Sequence, residues 1–162
     1  MNWSGLLVSF LLEVWEYILV FIFAAIPWFE IALIIPLAII GGLNPVLVAL
    51  VAFLGNLATV YLLVIFFEKF KAWREKKRKV DEPSKSKKGK RAYKIWNRYG
   101  LPGLSFLGPI VIGSHIAAFI GLILGANKKS TIIWQTMSLA VWTLIFVVVT
   151  YFGLDFLNIG KG

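Results

Sequence analysis

Three carboxylates and one imidazole interrupt the long apolar stretches of this chain: Glu13, Glu16, Glu30 and His115. Inside a bilayer a charged side chain costs about 2.5 to 3.5 kcal/mol at a helix centre, so each such group needs a partner, a wet cavity or a role in moving ions. Glu13 and Glu16 are three apart and share one helical face, which Ser9 and Asn2 extend. Two carboxyls this close favour sharing a proton or a cation, which suits a proton relay; a second copy of the chain would satisfy them equally well. Glu30 lies six residues before Pro36, where a carboxyl at membrane depth can exchange protons or, beside Trp28, rest at headgroup level. His115, the only histidine, directly follows Gly113-Ser114. Histidine is the side-chain type that changes charge near neutral pH, so it is a candidate for coupling or ligand binding as well as for a structural donor.

Backbone breakers surround these groups. Pro36, Gly41, Gly42 and Asn44 punctuate one apolar segment, and Pro109, Gly113 and Ser114 another. Broken helices expose backbone groups and helix ends, and in lipid they are tolerated only where they are buried in protein or line a wet cavity. These seven residues, with Glu30 and His115, form the expected substrate or ion site. Thr131, Gln135, Ser138 and Trp142 fall at helical spacing further on, either lining a cavity or gluing helices together. One histidine and no cysteine exclude disulfides, thiolate chemistry and a tight transition-metal site, and no cofactor is expected. No phosphate-cradling loop, nucleophile elbow or metal-ligand pair has the spacing its chemistry requires, so an enzyme is not expected either.

The elements that must position these residues are set by hydropathy. Hydrophobic residues make up 59% of the 162, charged residues only 15%, and the mean hydropathy is +0.82. A water-facing surface needs charge on roughly a quarter of its residues. Between Trp3 and Phe67 there are three formal charges, so lipid is the expected solvent. Of the 17 Lys and Arg, 14 fall between Lys69 and Arg98, against Glu68, Glu75, Asp81 and Glu82. That block reads as a cytoplasmic loop, 68–98, under the positive-inside rule. Its flanks carry Tyr93, Trp96 and Tyr99 among basic residues, which suits a helix lying on anionic lipids rather than a nucleic-acid surface.

Residues 5–26 are long enough to span a hydrocarbon core of about 30 Å. Residues 28–55 read as a re-entrant hairpin turning at Gly-Gly-Leu-Asn-Pro, 57–72 as a spanning helix, 99–126 as a second hairpin and 131–153 as a final span. In a rival division, 45–67 is one ordinary span. The punctuated segments repeat: Pro36 precedes Gly41 by five residues and Pro109 precedes Gly113 by four, and Leu54-Gly55-Asn56 is echoed by Gly125-Ala126-Asn127. With 68–98 cytoplasmic, one hairpin enters from outside and the other from inside. The expected fold is an all-α integral membrane protein of three transmembrane helices and two opposed re-entrant hairpins, an inverted repeat of the kind secondary transporters use. So few spans enclose little cavity, so a homodimer in the cytoplasmic membrane is expected.

Phe29-Glu30-Ile31-Ala32-Leu33-Ile34-Ile35-Pro36, the following Gly-Gly-Leu-Asn-Pro and Gly-Asn, and Tyr-Gly-Leu-Pro-Gly-Leu-Ser-Phe-Leu-Gly-Pro-Ile-Val-Ile-Gly-Ser from Tyr99 carry a resemblance. Over 28–67 and 99–153 the chain resembles the small multidrug export proteins, distant relatives of the DedA-like (VTT-domain) membrane proteins. That family's Glu-x-Arg pattern has Ala32 at its Arg position here, and the second hairpin has no Arg. The resemblance implies a transporter of a small or amphipathic molecule with two facing hairpins, Glu30 holding the family's acidic position. A lipid flippase or scramblase acting on polyprenyl phosphates or phospholipids is the second function it implies, and a membrane anchor or assembly factor is the third reading.

Overall fold

The computed structural model describes residues 3–27, 29–67, 69, 72 and 87–156. Most of the expected basic loop, including nearly everything from Glu68 to Ser86, lies outside the described residues. Among the described residues six helices have both ends defined: α1 (Trp3–Ala25), α2 (Ile31–Ile40), α3 (Pro45–Ile65), α4 (Lys87–Val111), α5 (Ser114–Ile123) and α6 (Lys128–Phe156). No strand occurs among the described residues. Two helices, α3 and α6, are long and apolar enough to cross a membrane. The outward faces agree with a lipid solvent: Leu50, Leu54 and Leu62 on α3, and Leu144, Val148 and Phe152 on α6, are all more than half exposed.

The chain divides into two compact units, residues 1–56 with 143–162, and residues 57–142. In the first unit the hydrogen bond from the Asn44 amide to the Tyr17 hydroxyl, 3.1 Å, sets the start of α3 beside the middle of α1. Further on, Gly55 packs against the Phe21 carbonyl and Ala24, so α3 runs alongside α1 in the same direction. A Cβ on Gly55 would lie 2.5 Å from that carbonyl oxygen, which is why a glycine stands there. Gly55-Asn56 was expected to end a hairpin; instead it lies inside the continuous α3, because this glycine serves a close helix approach and not a turn.

In the second unit α4 is two helices joined across Gly100, whose φ of 64° and ψ of −154° are open to glycine alone. The first half, 87–99, buries Gly89 and Ala92 and half-buries Ile95 and Trp96 against a core of Leu104, Ile112, Ala117 and Ile120. Its opposite side exposes Lys90, Arg91, Lys94 and Arg98. The second half, 101–111, turns back into α5, and the two pack closely enough that Gly108 touches the Ala117 methyl. The ring of Phe119 meets that of Phe67 edge-on at 5.5 Å, so α5 is buried on nearly every side.

The two halves of the chain repeat with a constant offset of 83 residues. α2 and α5 are each ten residues long and begin at equivalent positions, Ile31 and Ser114. Each ends in the same device. The Leu43 amide donates to the Ala38 carbonyl (3.1 Å) and that of Gly42 to Ile39 (3.0 Å); the Ala126 amide donates to Gly121 (2.9 Å) and that of Gly125 to Leu122 (3.2 Å). These are paired Schellman caps with left-handed glycines, Gly42 at φ 93° and Gly125 at φ 96°. Two residues later an asparagine caps the next long helix: Asn44 Oδ1 accepts from the Val46 amide at 2.9 Å, and Asn127 Oδ1 from that of Lys129 at 2.8 Å. The buried stripe continues in register, with Val48, Ala52, Gly55 and Asn56 on α3 matching Thr131, Gln135, Ser138 and Leu139 on α6.

This register differs from the one expected. Gly125-Ala126-Asn127 pairs with Gly42-Leu43-Asn44, and not with Leu54-Gly55-Asn56, because the glycine must be left-handed and the asparagine must cap. Pro36 and Pro109 are not equivalent either. Pro36 is inside α2, the outgoing arm, and Pro109 is in α4, the incoming one.

Candidate functional site

Gly113 is the N-cap of α5, with φ 101°, and its equivalent in the first half is Glu30, the N-cap of α2. Glu30 and His115 therefore stand at matching ends of the two short helices, with Ala32 as the counterpart of His115. Leu43-Asn44, by contrast, lies at the other end of α2, roughly 15 Å away for ten residues at 1.5 Å each. Gly41, Gly42 and Asn44 are accordingly separate from Glu30. They are exposed, and their polar groups are engaged in capping and in the bond to Tyr17.

The structure does bring Pro109, Gly113, Ser114 and His115 together around one turn. The Ile112 and Gly113 amides both donate to the Gly108 carbonyl, at 3.0 and 2.7 Å, and the Ala117 amide donates to that of Gly113 at 2.9 Å. Ser114 is fully buried and His115 is 2% exposed, and the serine Oγ lies 3.2 Å from His115 Nδ1. Glu30 is half-buried, and its carbonyl accepts from Leu33 and Ile34 to open α2, with no capping bond from its carboxylate. Glu13 and Glu16 are exposed on a part of α1 where residues 9–16 are exposed on every face.

Pro109 explains a further polar contact. Having no N–H, it cannot donate to the carbonyl of Ser105 four residues earlier, and its ring crowds that carbonyl. That carbonyl and its neighbour are taken by side chains of α6: Ser138 Oγ donates to Ser105 at 2.7 Å and Trp142 Nε1 to Phe106 at 2.7 Å. The Phe106 and Trp134 rings meet edge-on at 6.2 Å beside them. Ser138 and Trp142 are thus helix glue, and the proline calls for the Ser138 bond. Gln135 is different. It is fully buried one turn before Ser138, and neither its amide nitrogen nor its amide oxygen has a hydrogen-bond partner. Ser105 Oγ, also fully buried, has none either. Ser105 was not singled out from sequence, although a serine four residues before a proline in an apolar helix is a usable signal.

Among the described residues no group of three or more His, Cys, Asp or Glu could hold a metal ion. Residues 30–145 match the family model described as "Putative small multi-drug export protein". The match covers well over half of the chain, and the chain belongs to that family of membrane proteins. No curated protein and no solved structure matches.

Proposed function

We propose that this member of the small multi-drug export family is a transporter that moves a small or amphipathic molecule across the cytoplasmic membrane, with Glu30 and His115 coupling the movement to protons. The observation that carries the reading is their equivalence: a carboxyl and an imidazole, each rare and costly in lipid, occupy matching ends of two repeated short helices. Each ten-residue helix is about 15 Å long, half of a hydrocarbon core of about 30 Å. The second half of α1 with α2, and the second half of α4 with α5, then form two hairpins whose tips, at 26–30 and 112–114, reach the midplane. α3 and α6 are the continuous spans. The first half of α1 is the counterpart of the basic half of α4, so this reading keeps two opposed hairpins and needs only two full spans.

Orientation follows from charge. Lys69 after α3 and Lys128-Lys129 at the start of α6 support a cytoplasmic position for both of those ends, which makes the two halves inverted. The exposed cations of 87–98 then rest on anionic headgroups of the inner leaflet. A homodimer would shield Glu13 and Glu16 from lipid.

The test is a flux assay in proteoliposomes with an imposed proton gradient, using ethidium as the probe. Glu30→Gln and His115→Ala are each expected to lower gradient-driven flux at least tenfold while leaving folding intact. Full flux in both variants would remove the coupling role. The exposed cationic face of α4 favours one other reading, a flippase or scramblase for lipids with anionic headgroups. In the same vesicles that activity would move labelled lipid with no gradient present.

A further inference from the structure

The repeat shows what this fold requires of the buried stripe on its long helices, and α6 exceeds the requirement. In the first half the stripe reads Val48, Ala52, Gly55; in the second it reads Thr131, Gln135, Ser138. Ser138 is accounted for by the Ser105 carbonyl, and Thr131 Oγ1 donates to the Asn127 carbonyl at 3.0 Å. Gln135 has no such account. An alanine fills the same position of the same helical unit, yet here a full amide is buried with both ends unpaired. A buried polar group left unpaired costs more than a hydrogen bond gains, so such a group in a native core calls for an unseen partner. Ser105 Oγ is the second unpaired buried group on this interface, within about one helical turn of the Gln135 position through the Ser138–Ser105 bond.

We infer that Gln135, with Ser105, is the recognition site for the polar part of a neutral ligand that carries both a hydrogen-bond donor and an acceptor, an amide or carbamate being the best match. This rests on the transport reading and names the substrate class for it. A glutamine amide offers two donors and one acceptor oxygen, and a serine hydroxyl offers one of each. Together they complement an amide edge. They do not suit an ion, because no charged residue lies on the α6 stripe and an unpaired charge there would be far costlier than a neutral group. Gln135 is seven residues past Lys128, roughly 10 Å along α6, so the site is entered from the cytoplasmic end. Phe106 and Trp134, the chain neighbours of Ser105 and Gln135, meet edge-on at 6.2 Å and would hold the apolar part. In the present conformation Gln135 is fully enclosed, so the site is in a closed state and opens by movement of the hairpin formed by 101–111 and α5.

Binding is measured by fluorine NMR saturation transfer to the protein in nanodiscs, with empty nanodiscs as the blank. Para-fluorobenzamide is the probe, and para-fluorotoluene, the same ring without the amide, is the control. The wild type is expected to bind the amide saturably and at least about tenfold more tightly than the control, which is about 1.4 kcal/mol. Gln135→Leu, nearly the same volume, and Gln135→Ala, the residue of the first half, should each reduce that preference to within about twofold without weakening the control. No amide preference in the wild type, or one retained in both variants, overturns the inference. A rise in thermal stability of Gln135→Leu with no preference in the wild type would mark Gln135 as a hydrated structural group and overturn it equally. The flux assay separates this from the transport reading. Flux that depends on Glu30 but not on Gln135 sinks the site alone, whereas amide preference without any flux sinks transport alone.

Discussion

At the scale of residues, the polar side chains of α6 divide by whether a proline explains them. Pro109 leaves the Ser105 carbonyl of α4 without its helical donor, and Ser138 supplies a replacement at 2.7 Å, while Trp142 donates to the neighbouring Phe106 carbonyl, also at 2.7 Å. Removing a donor from a buried carbonyl costs about 1 to 3 kcal/mol, so Ser138→Ala should destabilise the protein by that amount in detergent unfolding. In a Pro109→Ala background the restored amide returns the Ser105 carbonyl to its own helix, and Ser138→Ala should then cost less than about 1 kcal/mol. Strictly additive losses would show that Ser138 does not serve the proline. In sequence, the helical spacing of Ser138 and Trp142 leaves their role open between cavity and glue. The proline that decides it lies on another helix, and the pairing becomes visible only when α4 and α6 are laid side by side. Ser114 and His115 were legible for the opposite reason, since their turn glycines lie next to them in the chain.

At the scale of elements, the repeat is defined by caps and not by prolines. Gly-Leu-Asn-Pro and Gly-Ala-Asn-Lys share a left-handed glycine and a capping asparagine at one spacing, and that chemistry fixes where a short helix ends and a long one begins. In sequence alone, Gly125-Ala126-Asn127 pairs with Leu54-Gly55-Asn56. A Gly-Asn pair inside an apolar run looks the same whether it ends a helix or packs against a neighbouring backbone. Gly42 and Gly125 make a direct comparison, because a Cβ added at either meets nothing within 4 Å. Gly42→Ala and Gly125→Ala should therefore each cost about 1 to 2 kcal/mol, purely from the left-handed backbone, and by similar amounts. A large loss at one site with none at the other would break the equivalence. Asn44→Ala and Asn127→Ala are expected to cost about 1 kcal/mol apiece as lost helix caps.

At the scale of the whole molecule, apolar helices and a single basic block identified the membrane class from sequence, and two helices long enough to span a bilayer agree with it. The packing of α1 was less legible. α1 has the length of a span, and its second half is held beside α3 by the Asn44–Tyr17 and Gly55–Phe21 contacts, which no local pattern announces. The account rests on the two halves being inverted, which puts the base of the first hairpin at the outer surface and that of the second at the cytoplasmic surface. Leu43 and Ala126 are equivalent residues at those two bases, and the chain has no native cysteine to interfere. The most direct measurement is therefore labelling of Leu43→Cys and Ala126→Cys in intact cells and in inverted vesicles with a membrane-impermeant thiol reagent. The account predicts that Leu43→Cys reacts only from outside and Ala126→Cys only from the cytoplasmic side. Labelling of both from the same side would contradict it.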